Sequence, residues 1–184
     1  LTTLWWWFTQ PNFILPEEHY IVGDFTGDGA DDIMVYNPES GSITIYSRMR
    51  TGYFERIPNF ALGNLSGDNR NKTLLAGDFG QATPRKDLLI INQSTREISR
   101  YDSVTDGSGN VTFWWAFTTR SNFIQRNDQV RIANITGSTK DEVLIRKISS
   151  GAYNLFKAEF SDGGLLPIST VETGQLPIKP NTGK

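Results

Sequence analysis

Apolar and polar positions alternate along most of the chain in short runs, and the runs end at Gly, Pro, Asn or Asp. Ser42-Ile43-Thr44-Ile45-Tyr46 alternates strictly, as a strand with one buried face does. Leu4-Trp5-Trp6-Trp7-Phe8, Tyr20-Ile21-Val22, Ile33-Met34-Val35-Tyr36 and Tyr53-Phe54-Glu55-Arg56-Ile57 are further strand-length runs. Gln10-Pro11-Asn12 and Asn37-Pro38-Glu39-Ser40-Gly41 supply the turn chemistry between them. No window carries a period of 3.6, so no long helix is expected.

The same order then recurs. Leu74-Leu75-Ala76-Gly77-Asp78, Asp87-Leu88-Leu89-Ile90-Ile91, Glu97-Ile98-Ser99-Arg100-Tyr101 and Val111-Thr112-Phe113-Trp114-Trp115-Ala116-Phe117 form a second set of strands. Val130-Arg131-Ile132-Ala133, Glu142-Val143-Leu144-Ile145, Tyr153-Asn154-Leu155-Phe156 and Leu165-Leu166-Pro167-Ile168-Ser169 form a third. The loop starts Asp24, Asp78 and Asn134 lie 54 and 56 residues apart, and Trp5 and Trp114 lie 109 apart, two periods. The phrases Pro11-Asn12-Phe13, Pro58-Asn59-Phe60 and Ser121-Asn122-Phe123 close each unit. A fixed period of four strands is the signature of propeller blades, which bury their faces by stacking on neighbours. The expected fold is therefore all-β: a single β-propeller-type domain over residues 1–175, a partial array of about three four-stranded antiparallel blades. The blades span about 14–60, 61–123 and 124–172, and a tail covers 176–184. Residues 1–13 read as an orphan fourth strand, available to complete the last blade of another copy or of its own chain.

The stretch from Asp24 to Asp32 carries the clearest chemistry. Asp24, Thr26, Asp28 and Asp32 stand at loop positions 1, 3, 5 and 9, and Ala30 at position 7 offers its carbonyl. A hard cation such as calcium takes six to eight oxygens, which a tight loop supplies from alternate residues. Gly27 and Gly29 permit the left-handed turns such a loop needs. The pattern follows an EF-hand loop through its ninth position and then departs, with Val35 at the twelfth and β-type flanks on both sides. A plain Asp/Gly hairpin turn without metal is the alternative.

Gly23-Asp24-Phe25-Thr26-Gly27-Asp28-Gly29-Ala30-Asp31-Asp32 resembles the FG-GAP/VCBS type of repeat, found in integrin-α-like propellers and in many secreted proteins. The resemblance implies that the loop joins the first two strands of a blade and holds calcium through Asp24, Thr26, Asp28, the Ala30 carbonyl and Asp32. Thr26 stands where that family usually has Asp or Asn, which implies a weaker site. The second loop, from Asp78 to Asp87, is one residue too long and lacks acceptors at its third and fifth positions. The third keeps the spacing through Asn134, Thr136, Ser138 and Glu142, but with Lys140 in place of a small residue. One calcium site is expected, with a weak third-unit site as an alternative and none in the second. Family propellers usually have six to eight blades. Three imply either a piece of a longer protein or a homodimer that completes a ring of six.

Composition narrows the function. The chain has 184 residues, a formal net charge of −2 and no cysteine. It therefore lacks the basic excess that nucleic acid demands, and it has no thiolate chemistry. No apolar run approaches the length of a membrane span. His19 is the single histidine and lies in a polar connection, and Glu17 and Glu18 are adjacent and point apart, so catalysis is not expected. Five tryptophans are a heavy aromatic load. Trp5, Trp7, Trp114 and Trp115 are the candidates to stack on sugar rings in clefts between blades, against the alternative of blade-to-blade packing. The repeats point to an extracellular, secreted recognition module with a glycan or glycoprotein ligand. A protein–protein adhesion module, or a scaffold segment of a larger secreted toxin or enzyme, is the second reading.

Overall fold

A computed structural model describes residues 13–48, 53–57, 70–80, 85–105, 110–161 and 163–168. The first sheet contains β1 His19–Gly23, β2 Asp32–Tyr36, β3 Ile43–Arg48 and β4 Phe54–Arg56. The second contains β5 Lys72–Gly77, β6 Asp87–Asn92, β7 Glu97–Thr105 and β8 Val111–Thr118. The third contains β9 Gln129–Ala133, β10 Glu142–Arg146, β11 Tyr153–Ser161 and β12 Gly164–Pro167. Each sheet is an antiparallel meander of four strands in sequence order, none closes on itself, and no helix occurs among the described residues. Accordingly, no helix there is long and apolar enough to cross a membrane.

Hairpin registers show that the sheets are copies of one unit. Gly23 pairs with Asp32, Gly77 with Asp87 and Ala133 with Glu142 at the same point of each first hairpin. Each described sheet has its own fourth strand, β4, β8 or β12. The apolar run Leu4–Phe8, with Trp5 and Trp7, lies outside the described residues.

Neighbouring sheets stack through two cores, and β5 lies between β1 and β9. The first core joins Phe25, Met34, Tyr36, Ile43 and Ile45 of the first sheet to Leu74, Leu88, Ile90, Val111 and Phe113 of the second. The second joins Phe79, Leu89, Ile91, Ile98 and Phe117 to Val130, Val143, Ile145, Ala158 and Leu165 of the third, with Ile124 from the linker. The middle sheet is thus covered on both faces. Accordingly, β6 reads Leu-Leu-Ile-Ile without alternation and is buried along that whole run. Its last strand serves both cores. In a regular strand Phe113 and Phe117 share a face, but a bulge opposite Arg100 and Tyr101 makes Ala116 the extra residue. The bulge turns Phe113 to the first core and Phe117 to the second.

The two ends of the stack differ. Tyr20 and Val22 are exposed on the outward face of the first sheet, whereas their counterparts Leu74 and Ala76 pack in the first core. At the other end, Arg131 and Arg146 take the places that Ile21 and Tyr36, or Leu75 and Ile91, hold in the other sheets.

Backbone hydrogen bonds stitch one loop to the next. Lys86 N–H donates to the Asp24 carbonyl at 2.7 Å, and Asp141 N–H donates to the Asp78 carbonyl at 2.8 Å. The residue after each loop start also inserts into the neighbouring sheet. Phe25 is fully buried against Phe113 (ring centroids 6.2 Å apart) and Phe79 is buried in the second core, while Ile135, with no sheet beyond it, is 45% exposed. Phe25→Ala should therefore lower the unfolding free energy by about 3–5 kcal/mol. Ile135→Ala should change it by no more than about 0.5 kcal/mol. Urea denaturation of both variants checks the phase of the repeat, and equal losses would contradict it.

Candidate functional site

The loop joining the first two strands of each sheet must satisfy backbone amides that no strand pairs. In all three sheets a buried carboxylate at the start of the second strand does this. Asp32 Oδ2 accepts the N–H groups of Phe25 and Thr26, both at 2.9 Å. Asp87 Oδ2 accepts Phe79 N–H at 3.0 Å, and its Oδ1 accepts Ser103 N–H at 2.9 Å. Glu142 Oε2 accepts Ile135 N–H at 2.7 Å and Thr136 N–H at 3.2 Å. Asp87 was not singled out from the sequence, although its place just before an apolar run, matching Asp32, is a signal.

Around the first of these carboxylates stand the expected cation ligands. Asp24 bends back into its own loop, with Oδ1 accepting Gly27 N–H at 2.5 Å and Oδ2 accepting Gly29 N–H at 2.9 Å. Asp28 Oδ1 accepts Ala30 N–H at 2.8 Å. Gly27 and Gly29 have φ of 80° and 84°, the left-handed conformation expected of them. Asp24 and Asp28 thus serve a tight Asx-type turn, and each keeps lone pairs to spare. Two oxygens of the set have no such use. Thr26 Oγ1 and Asp32 Oδ1 are buried and make no close hydrogen bond among the described residues, though the hydroxyls of Ser47 and Thr26 act on the Asp32 carboxyl. Oxygen donors of this kind suit a hard cation in donor chemistry. No three acidic, His or Cys side chains among the described residues converge as a metal-binding group.

The other two loops meet the same need from within the protein. In the third, Glu142 Oε1 accepts the hydroxyls of Thr136 and of Ser138, the latter at 2.9 Å, so its candidate ligands satisfy one another. Asn134 Oδ1 accepts Gly137 N–H at 2.9 Å. In the second, Lys140 Nζ reaches across from the third sheet to Asp78 Oδ1 at 2.9 Å. Asp141 in turn accepts Asp78 N–H at 2.8 Å and meets Lys86 Nζ at 3.1 Å.

These surroundings set the acidities apart. Burial pushes the Asp32 carboxyl above the usual aspartate range, against the pull of Ser47 and of the loop's own Thr26 and Phe25. Burial also raises Asp87, against Ser103 N–H and with Asp102 adding repulsion. For Glu142 burial works in the same direction, but the bonds from Thr136, Ile135 and Ser138 together outweigh it and hold the carboxyl below its ordinary value.

Of the aromatic candidates, Trp114 and Trp115 are described, and neither is core. They are 67% and 62% exposed on β8, the outermost strand of the second sheet. Cross-strand pairing puts Trp115 beside Tyr101 and Trp114 beside Asp102. The Trp115 indole N–H donates to Thr118 Oγ1 at 3.0 Å. The Asp102 carboxylate is held by Arg100 Nε at 2.5 Å. The bulge beside them breaks the alternation that would have buried one of the pair. His19 is exposed on β1, its ring 6.4 Å from that of Tyr36. No protein-family model matches the chain, and no curated protein matches it.

The pH dependence of stability follows from the three carboxyls. Asp32 and Asp87 bind protons more tightly when folded, so each adds stability at acid pH that is lost as pH rises through its native value. Glu142 is the reverse: its contribution is present above the ordinary glutamate value near 4.5 and is lost as pH falls through the native one. Glu142→Gln is therefore expected to destabilise by about 1–3 kcal/mol at pH 7, with the difference from the parent shrinking on acidification. Chemical denaturation of both proteins at neutral and acid pH measures this, and a gap that widens toward acid would reverse the assignment.

Proposed function

We propose that this chain is a non-catalytic extracellular recognition module that binds glycans, built as a β-propeller-type array and stapled by calcium in its first loop. The exposed tryptophan pair on β8 carries this reading. An uncovered indole offers an apolar face to the C–H face of a sugar ring. Asp102 beside Trp114 and Thr118 beside Trp115 are polar groups already fixed by their own hydrogen bonds, as hydroxyl recognition requires. Holding two large aromatics in water has no folding benefit, which favours a ligand over packing. The repeat phrase at Asp24, with its resemblance to FG-GAP/VCBS loops, supports a secreted protein, because outside the cell calcium would keep a weak loop loaded. There Asp24, Thr26, Asp28, the Ala30 carbonyl and Asp32 would hold the ion, whose charge would answer the buried oxygens of Thr26 and Asp32.

A second reading rests on the outward face of the first sheet. Tyr20 and Val22 sit where the other sheets pack against a neighbour. They favour a protein partner, most simply a second copy that continues the stack toward a six-blade ring. A solution mass at twice the chain mass would support that reading.

Glycan-array binding should be lost in Trp114→Ala and Trp115→Ala with the fold intact by circular dichroism; an array silent at high protein concentration refutes the sugar reading. Calcium has a separate check. Chelation with EDTA should lower the melting temperature of the parent and leave Asp28→Ala unmoved, and a parent that melts alike with and without EDTA has no such site.

A further inference from the structure

At the opposite end of the sheets from the first-strand loops, the β6–β7 turn and the linker into β9 border an open cleft of about 620 Å3. Two features of its wall depart from the repeat. The first is backbone conformation. The same turn follows the second strand of every sheet: Gly41 N–H donates to the Asn37 carbonyl at 2.8 Å, Gly151 N–H to the Lys147 carbonyl at 2.8 Å and Arg96 N–H to the Asn92 carbonyl at 2.7 Å. The donor residue is left-handed in each, with φ of 72°, 70° and 59°. Two sheets place glycine there, which adopts that conformation without penalty. The second sheet places Arg96, whose Cβ opposes it. Non-glycine residues held in this region cluster at functional sites. Asn127, on the facing wall, is another of the three such residues described, with φ of 71°.

The second feature is charge. Arg70 and Arg126 both stand seven residues before the pairing position at Gly77 or Ala133. Between the first and second sheets Arg70 is neutralised by Glu39 at 3.6 Å. Between the second and third, the residue corresponding to Glu39 is Ser94, and Arg96 adds a second cation. The acid in the wall, Asp128, is already engaged: its Oδ2 accepts Lys147 Nζ at 2.6 Å and Gln125 N–H at 2.8 Å. Among the described residues nothing pairs the guanidinium of Arg96 or of Arg126. Among the described residues the cleft thus holds two unpaired cations, and one of them is placed against its own backbone preference.

We infer that this cleft binds an acidic saccharide. The guanidinia of Arg96 and Arg126 receive the sugar carboxylate through charge-assisted, planar hydrogen bonds. The Gln93 and Asn127 amides and the Ser94 hydroxyl supply the donors and acceptors that ring hydroxyls require. The ligand class rests on the recognition reading above, but the residues are different ones and none is a tryptophan.

Isothermal titration of the full chain with a hexuronate trisaccharide and with a neutral hexose trisaccharide of the same length tests it. The hexuronate should bind, and Arg96→Gly should weaken it by at least about tenfold while the melting temperature stays the same or rises, because glycine suits the turn. Arg126→Gln should weaken it likewise, and the double variant Trp114→Ala/Trp115→Ala should leave it unchanged. Equal affinity for the neutral sugar, inorganic phosphate binding as tightly as the hexuronate, or an Arg96→Gly variant with parental affinity would each overturn the inference. Hexuronate binding lost only with the tryptophans would move the anion to β8 and overturn it too. Hexuronate binding that survives in a protein silent toward neutral glycans would support it while refuting the tryptophan site.

Discussion

A carboxylate buried at the start of each second strand is the constraint on which the arrangement depends. A loop between two strands that must also touch the next sheet cannot stay in water, so its amides need an acceptor brought by the chain. Asp32, Asp87 and Glu142 bring it. Each sits opposite a Gly or Ala in the first hairpin, where no bulky partner side chain crowds it. Once the amides are held, the following apolar residue can turn outward, and Phe25 and Phe79 become the pegs between sheets. Burial of a carboxylate is unfavourable by itself, so each loop must also answer the charge or the leftover oxygens. The first keeps two buried oxygens without a close partner, the second draws one lysine across the sheet boundary and sends one back, and the third folds its own hydroxyls onto Glu142.

Much of this was legible in the chain. Alternation gave most of the strands to within a residue or two, but it stopped β7 at Tyr101 rather than Thr105 and β11 at Phe156 rather than Ser161; the spacing of Asp24, Asp78 and Asn134 gave the order of the three units. The fourth strand of the last unit was read as running to Ser169, but it is described as Gly164–Pro167. Proline cannot extend a ladder from its own nitrogen, which fits the stop. Side-chain environment was less legible. Trp114 and Trp115 looked like packing residues as readily as ligand residues, since alternation predicts that one of two adjacent strand residues is buried. The bulge at Ala116 and the edge position of β8 undo that rule, and neither is written in local sequence. Arg96 was passed over because a lone arginine in a turn has no signature. Its meaning emerges only when the three turns are superposed and glycine is found in the other two.

Repetition supplies the frame, and departures from it make the units chemically distinct. Where the units agree, residues pack or satisfy backbone: the pegs, the buried acids, the inter-loop bonds from Lys86 and Asp141. Where they disagree, the differences concentrate at surfaces. Arginines stand at one end of the stack while Tyr20 and Val22 leave the other apolar, tryptophans stand on one outer strand, and the cleft beside the β6–β7 turn carries two unpaired arginines. An array of equal units would present the same surface at every position; this one does not.

The bulge in β8 has a consequence for how the molecule comes apart. In an ideal stack every strand contributes to its neighbours face by face, and an end unit can melt while the rest persists. Here β8, like β6, anchors both junctions, with Phe113 on one side and Phe117 on the other. Detaching β8 loosens the first and third sheets together. Partial unfolding from either end is therefore tied to the integrity of the middle, and the three sheets behave as one cooperative unit rather than as a row of separable ones.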